Sequence, residues 1–194
     1  MNKLKLFPLG LVAYPTKIVP LHIFEERYKV LINECISLKQ EFGMVYSLDS
    51  GLADFGCSLT VSEVIKTYPS GEMDIITKGQ RIFKIHSNIV ENELNVGQVE
   101  FQDDKNESFG DQFDKLKEKY LKLLLQLGVT DQIERHMNKA RSFELIEHIQ
   151  LPHEVELLLI STRSEIDRLR VLDEIFDQIL KKGIDKINNQ VFKS

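Results

Sequence analysis

The chain has 194 residues, of which 42% are hydrophobic and 28% charged, and its formal net charge is −5. This length suits one domain or two small ones, and such a chain buries roughly 70% of its unfolded surface on folding. The acidic balance argues against a nucleic-acid partner, because neutralising phosphates requires clustered Lys and Arg. No window approaches the roughly 18 apolar residues of a membrane span, so we expect a cytoplasmic protein without a membrane partner.

The segment from Leu6 to Tyr28 combines three prolines with a nearly continuous apolar sequence. Proline fixes φ and lacks an N–H donor, so the segment is predicted to form short extended pieces joined at bends. Helical spacing of apolar residues then predicts one amphipathic helix that ends near Gly43. The predicted stripe follows Pro20 and comprises Phe24, Tyr28, Leu31, Ile32, Cys35 and Ile36.

Between Met44 and Phe101 the pattern changes to short β-branched or aromatic runs separated by turn residues, which is typical of an antiparallel meander or small barrel. The turn residues are Asp49-Ser50-Gly51, Tyr68-Pro69-Ser70-Gly71 and Glu91-Asn92-Glu93. The predicted strands are Met44–Leu48, Cys57–Thr67, Met73–Lys78, Ile82–His86 and Val96–Phe101.

The polar stretch from Asp103 to Gly110 is the best candidate for a linker, and helical periodicity follows it. A first stripe runs from Phe113 to Leu127, with Gly128 as its C-terminal cap. Further helices are predicted at Thr130–Lys139, at Ser142–Ile149 and from Pro152 onward. The last helix opens with a Thr162-x-x-Glu165 capping box, carries the stripe Leu169, Leu172, Phe176, Ile179 and Leu180, and closes at Gly183.

No motif supports catalysis, a cofactor or a metal ion. The nearest approach to a phosphate-binding loop, Gly51 to Ser58, has Cys57 where the loop requires lysine. His148 and His153 are separated by Pro152 and lack the spacing that places two ligands on one helical face. Cys35 and Cys57 lie in apolar contexts without C-x-x-C spacing, so we expect reduced core thiols.

The first half of the chain resembles the amino-terminal domain of Lon-type ATP-dependent proteases. The residues that carry this resemblance are Phe7-Pro8-Leu9, Tyr14-Pro15, Pro20 to Glu25, Arg27-Tyr28, Phe42-Gly43, Gly56-Cys57, Ser70-Gly71 and Gly79 to Phe83. The leucine-rich spacing from Phe143 to Leu180 is similar to the helical part that follows in that family. In that family a glycine often follows the proline of the Tyr14-Pro15 pair, and this chain has Thr16 at that position. The difference implies a turn that is built differently.

The resemblance implies an α+β fold, in which an antiparallel PUA-like β-barrel domain (residues 1–103) carries one helix and precedes a helical bundle (residues 111–184) and a tail (residues 185–194). It also implies a non-catalytic module that binds unfolded or exposed apolar polypeptide segments, with a separate protease or chaperone as a further partner. The leucine-rich helical stripes themselves suggest self-association. We expect contact in the groove between barrel and bundle, with pairing at a strand edge. A small-ligand- or RNA-binding domain is the alternative, because other PUA-like folds perform these tasks.

Four residues of the resembling motifs are candidates for contact with a partner: Glu25, Arg27, Tyr28 and Arg81. Glu25 and Arg27 present a fixed ion pair or a guanidinium to a partner, or else they stabilise the helix start and tie it to a strand carbonyl. We prefer the second interpretation. Arg81 is interpreted in the same way, as an outward strand residue after Gly79, a glycine required for backbone conformation.

Overall fold

The protein is described by a computed structural model that covers residues 1–105, 108, 110–129 and 133–182. Its chain divides into two units, Met1–Asp103 and Asp104–Ser194. The first unit holds all six described strands and one helix, and the second holds the remaining helices. The α+β class predicted from the sequence is therefore confirmed. The predicted tail, residues 185–194, lies outside the described residues.

The six strands form one mixed sheet with the order β2-β5-β4-β3-β1-β6, and β5 also pairs with β6. The prediction of a purely antiparallel sheet is wrong at one pairing, since β1 runs parallel to β3. β2 and the first helix intervene between these two strands, and a parallel pair requires such a crossover. The strands are β1 (Asn2–Leu9), β2 (Ile18–Ile23), β3 (Phe42–Leu48), β4 (Gly51–Thr67), β5 (Met73–Glu91) and β6 (Leu94–Phe101).

The proline-rich start forms the two strands β1 and β2, each with a regular pairing register. Along β2 the side chains alternate between exposed and buried, so that Val19, Leu21 and Ile23 enter the core. Pro20 is exposed and lies on a strand that pairs with a single neighbour. A proline is tolerated at such a position because an edge strand does not need every N–H group.

The turn after Pro15 packs against β5 at Gly79. The Thr16 N–H donates to the Gly79 carbonyl at 3.0 Å, and the Gly79 N–H donates to the Lys17 carbonyl at 2.9 Å. Gly79 has no positive φ, so the predicted conformational requirement is wrong. A Cβ at Gly79 would lie only 2.0 Å from the Tyr14 carbonyl oxygen, so the close approach of two backbones requires glycine.

Thr16 has a φ of 76°, in the left-handed region that glycine favours. Threonine thus takes up a conformation that glycine adopts more readily, and the expectation that this turn is built differently from the family's stays a prediction. Its hydroxyl oxygen is buried without a hydrogen-bond partner among the described residues. The turn thus combines a strained β-branched residue with an unpaired polar atom.

The first helix, α1 (Glu26–Leu38), begins later and ends earlier than the apolar spacing predicts. Phe24 precedes it, is 59% exposed and does not belong to the buried stripe. The strand period of β2 extends to Ile23 and places the next residue outward, which accounts for this difference. Lys39 ends the helix in the left-handed conformation, so no glycine cap is used. Tyr28, Leu31, Ile32 and Cys35 are buried as predicted, whereas Ile36 is 36% exposed and does not belong to the buried stripe.

The predicted turns of the sheet are confirmed. The turn residues Gly71 and Asn92 both have positive φ, at 79° and 49°. The two separate runs predicted from Met73 to Lys78 and from Ile82 to His86 form one strand, β5. The register irregularities between β4 and β5 accommodate this long strand and allow it to pair with three neighbours.

The helices of the second unit follow the predicted stripes. They are α2 (Gly110–Gln126), α3 (Ile133–Met137), a 3-10 helix (Ser142–Ile146), α4 (His153–Ser161) and α5 (Glu165–Lys182). The helix α3 and the 3-10 helix end earlier than predicted. Residues 130–132 and Gly183 lie outside the described residues. Gly128 has a φ of 74°, as expected of a C-terminal cap, whereas Pro152 lies at the N-cap position of α4, one residue before the helix that was predicted to begin with it. No helix among the described residues has the length and apolar character needed to cross a membrane.

The predicted capping box of α5 is wrong. Ser164 fills the N-cap position, its hydroxyl accepting a hydrogen bond from the Asp167 N–H at 3.1 Å. The carboxylate of Glu165 instead binds Arg168 and the N–H and hydroxyl of Ser142. Arg168 is 1% exposed and also forms a two-pronged ion pair with Asp104. A buried guanidinium requires these partners, so the Glu165 carboxylate binds Arg168 and Ser142 and forms no capping box with Thr162.

Candidate functional site

A groove of about 630 Å³ opens on the first unit, beside the start of α1. Its lining comes from β1, β2, the turn between β3 and β4, and the segment that leads into α1. Buried apolar side chains form its floor, and exposed apolar and charged side chains form its rim. The residues that line the groove include Phe7, His22, Phe24, Glu25, Arg27, Tyr28, Leu48, Asp49 and Leu52.

Two packed aromatic rings form the groove floor. The centroids of Phe7 and Tyr28 lie 4.1 Å apart with the planes tilted by 33°, and Phe42 supports Phe7 from the core side at 6.1 Å. Both rings are 7% exposed. Burial raises the pKa of Tyr28, so its phenol stays protonated and neutral. The floor is therefore an ordered apolar surface.

Glu25 and Arg27 form a closed pair on one wall. The Glu25 backbone carbonyl accepts hydrogen bonds from the first turn of α1, but its carboxylate makes no cap. That carboxylate instead accepts from the Arg27 Nε at 2.9 Å and pairs with Nη2 at 2.6 Å. Arg27 also donates to the Glu93 carbonyl at 3.2 Å and lies 4.7 Å from the Tyr28 ring centroid. The hydrogen bond that Arg27 donates to the Glu25 carboxylate raises the pKa of Arg27 and fixes its guanidinium.

Two exposed apolar side chains form the rim. Phe24 is 59% exposed at the end of β2, and Leu48 is 41% exposed at the end of β3. Sequence reasoning missed Leu48, which lies about 20 residues from the motif it joins in space. Its position just before the Asp49-Ser50-Gly51 turn is the signal that could have found it, since strand ends near turns carry binding residues.

A hydrogen-bonded cluster extends the rim beyond Phe24. His22 Nδ1 lies 2.7 Å from a carboxylate oxygen of Asp74, and the Tyr68 hydroxyl donates to the other oxygen at 2.7 Å. The hydrogen bond from His22, followed by that from Tyr68, lowers the pKa of Asp74. The His22 and Phe24 rings are stacked with centroids 6.0 Å apart. The cluster fixes the imidazole and limits where the exposed Phe24 ring can lie.

The groove also runs along the free edge of β2. Each of the other five described strands pairs with at least two neighbours, whereas β2 pairs with β5 alone. An unpaired edge presents N–H and C=O groups that another extended chain can bind. The strand therefore offers backbone hydrogen bonds beside an apolar surface.

Three of the four residues singled out from the sequence meet in this groove, and the fourth does not. Arg81 lies on β5, where it pairs with Glu41 at 3.0 Å and covers the Phe101 ring at 3.7 Å. It is exposed on the strand, but it does not line the groove.

The two cysteine thiols are buried in the first unit. Cys35 and Cys57 are free and buried, as expected, and burial raises their pKa values to about 11 and about 12. Such thiols are poor nucleophiles because the thiolate is the reactive form. Within the described ranges, no group of three His, Cys, Asp or Glu side chains is placed to hold a metal ion.

Residues 3–175 match the model of the ATP-dependent protease La (LON) substrate-binding domain. This match covers most of the chain and includes residues of both units. The chain belongs to the Lon substrate-binding domain family.

Two solved structures of Lon amino-terminal domains have the same fold. A Lon N-terminal domain protein from Xanthomonas campestris matches with a TM-score of 0.72 and 24% identity, covering 90% of this chain and 98% of that one. The N-terminal domain of the Mycobacterium avium complex Lon protease matches with a TM-score of 0.76 and 14% identity, covering 91% and 98%. The resemblance inferred from the amino-terminal motifs is thereby confirmed.

Proposed function

We propose that this protein is a non-catalytic module that captures exposed apolar segments of polypeptide in extended form. Membership of the Lon substrate-binding domain family supports a polypeptide as the bound molecule. The observation that carries the proposal is the free edge of β2, which lies beside the exposed side chains of Phe24 and Leu48. The captured segment is then passed to a separate protease or chaperone, in the role of an adaptor.

The mode of binding is β-strand addition. A segment that pairs with β2 gains backbone hydrogen bonds that do not depend on its sequence, and its alternate side chains point toward the groove. Phe24, Leu48 and the floor rings would cover those side chains. Pro20 removes one donor from β2, which limits the length of uninterrupted pairing and suits reversible binding.

We further infer a closed, PUA-like barrel for the first unit. The pairing of β5 with both β4 and β6 supports it, because the strand order β5-β4-β3-β1-β6 then returns to its start. β2 lies outside this circuit. In a closed sheet every strand has two neighbours, so no edge is free. A strand outside that sheet, here β2, therefore offers an edge with which a partner can pair.

The charges of the groove disfavour RNA. Its carboxylates are Glu25 and Asp49, and its one guanidinium, on Arg27, is already bound to Glu25. Binding of a phosphate backbone requires unpaired Lys and Arg along a track. A small ligand would fit a volume of about 630 Å³, but it would leave the edge of β2 unused.

The test is fluorescence anisotropy of a labelled, permanently unfolded polypeptide, titrated with the protein in the absence of nucleotide. Phe24→Ser should weaken binding about five- to thirtyfold, because burying the remaining exposed part of a Phe side chain contributes about 1–2 kcal/mol. Ile65→Ser is the matched control, since Ile65 is 57% exposed and does not line the groove.

Backbone methylation of the polypeptide tests strand addition directly. N-methyl groups on alternate residues that face β2 should abolish saturable binding, whereas the same groups shifted by one residue should leave most of it, since only every second N–H faces the added edge. A single-stranded RNA of similar size serves as the competing probe. Binding of RNA alone, or equal binding by the Phe24→Ser and Ile65→Ser variants, would refute polypeptide capture at this groove.

A further inference from the structure

The carboxylates in and beside the groove differ in whether they have a hydrogen-bond or ion-pair partner. Glu25 is paired with Arg27, and Asp74, just beyond the rim, is bound by His22 and Tyr68. Each of these carboxylates therefore has a positive or hydrogen-donating partner within 3 Å.

Asp49 is the exception among the groove carboxylates. It lies in the turn between β3 and β4, next to the exposed Leu48, and it is itself exposed. It makes no hydrogen bond or ion pair with any described residue. Among the described residues that line the groove, Arg27 alone carries a Lys or Arg charge, and it already has Glu25 and a backbone carbonyl as partners. The groove therefore carries one uncompensated negative charge directly beside an apolar rim residue.

We propose that the groove selects extended polypeptide segments in which a lysine or arginine accompanies the apolar residues, with the cationic group seated at the Asp49 carboxylate. This inference rests on the proposed function and names the class of segment that it captures. The long apolar stem of lysine or arginine packs against Leu48 while its charged end reaches Asp49. Acidic segments are disfavoured by the same carboxylate.

The expected effect is modest but measurable. An exposed ion pair changes affinity by about two- to fivefold at low ionic strength, and it weakens as salt shortens the screening length to about 3 Å at 1 M. Selection therefore takes the form of a ranking among apolar segments and does not require a cation for binding.

The experiment uses three labelled, unstructured peptides that share one apolar Leu-Val-Phe centre between Ser and Gly flanks and differ at one flanking position, occupied by Lys, Gln or Glu. The variable position is placed on either side of the centre, so that both chain directions are sampled. Anisotropy titrations are run with the native chain, with Asp49→Asn and with Asp54→Asn. Asp54 is exposed on β4, does not line the groove and supplies the same change in net charge.

We expect the native chain to bind the Lys peptide two- to fivefold more tightly than the Gln peptide, and the Glu peptide most weakly. Asp49→Asn should remove this ranking, Asp54→Asn should retain it, and Asp49→Lys should reverse it. Equal binding of the three peptides by the native chain would overturn the selection and leave polypeptide capture intact. A ranking that persists in Asp49→Asn would overturn the assignment to this carboxylate. If no peptide binds, the proposed function fails, and this inference fails with it.

Discussion

Replacing Thr16 by glycine should stabilise the protein, although the change removes a side chain. Thr16 has a φ of 76°, and its buried hydroxyl oxygen has no hydrogen-bond partner among the described residues. Its backbone N–H nevertheless holds the turn to Gly79 at 3.0 Å. Glycine retains this backbone hydrogen bond, accepts the left-handed conformation at no steric cost and brings no hydroxyl.

The magnitude follows from three contributions. Relief of the left-handed conformation contributes about 1–2 kcal/mol. Removal of an unsatisfied buried hydroxyl contributes about 1–3 kcal/mol. The greater freedom of glycine in the unfolded chain opposes these by about 0.5–1 kcal/mol. We therefore expect the Thr16→Gly variant to gain about 2 kcal/mol in free energy of unfolding.

The assay is urea denaturation followed by far-ultraviolet circular dichroism, since the chain contains no tryptophan. The urea midpoint should rise while the dependence of the free energy on urea stays constant. Thr16→Ala separates the contributions, because alanine removes the hydroxyl but keeps the left-handed cost, and it should give a smaller gain. A Thr16→Gly variant no more stable than the native chain would refute the assignment of strain to this turn.

Three further changes test other parts of the fold by the same denaturation assay. Gly79→Ala should cost about 3 kcal/mol or more, because its Cβ would lie 2.0 Å from a backbone oxygen; a neutral result would contradict this close approach. Arg168→Ala should cost about 3–5 kcal/mol by leaving the buried Glu165 carboxylate unpaired, whereas Arg170→Ala breaks an exposed ion pair and should cost under about 1 kcal/mol. Burial lowers the pKa of His136. Below about pH 6.5 the His136 imidazole is therefore protonated in the unfolded chain while it is still neutral in the folded chain. The urea midpoint should therefore be highest above that pH and fall on acidification, and less steeply in His136→Gln; equal slopes would exclude His136 as the cause.

The elements that the sequence predicted best are those whose burial follows a single period. The stripe of α2 from Phe113 to Leu124 and that of α5 from Leu169 to Ile179 are buried as predicted, because a helix with one apolar face has one way to pack. Leu127, the last residue of the predicted α2 stripe, lies beyond the end of the helix and is 38% exposed. The capping box of α5 failed for a tertiary reason. Glu165 has the residue type and spacing of a cap, but the buried Arg168 competes for its carboxylate, and local sequence does not reveal that competition.

The candidate site was predicted only for those of its residues that are neighbours in the sequence. Glu25, Arg27 and Tyr28 lie within one continuous motif, so the sequence already placed them together. Leu48 and Asp49 come from a turn that reaches the groove only because β1 pairs with β3 in parallel. That pairing is a long-range event, and the alternation of apolar residues carries no information about the direction in which two distant strands pair.

The position of β2 supports the proposal that a partner binds in the groove. Natural sheets protect exposed edges with charge, proline or a covering element. Here the other described strands all have two or more neighbours, and β2 keeps an open edge with Pro20 as its only interruption. Phe24 lies next to that edge and is exposed. The alternation of exposed and buried side chains along β2 ends with the buried Ile23, and it does not require an aromatic residue at the following position. An open edge and an exposed aromatic ring each favour aggregation, so their coincidence is best explained by a partner that covers both at once.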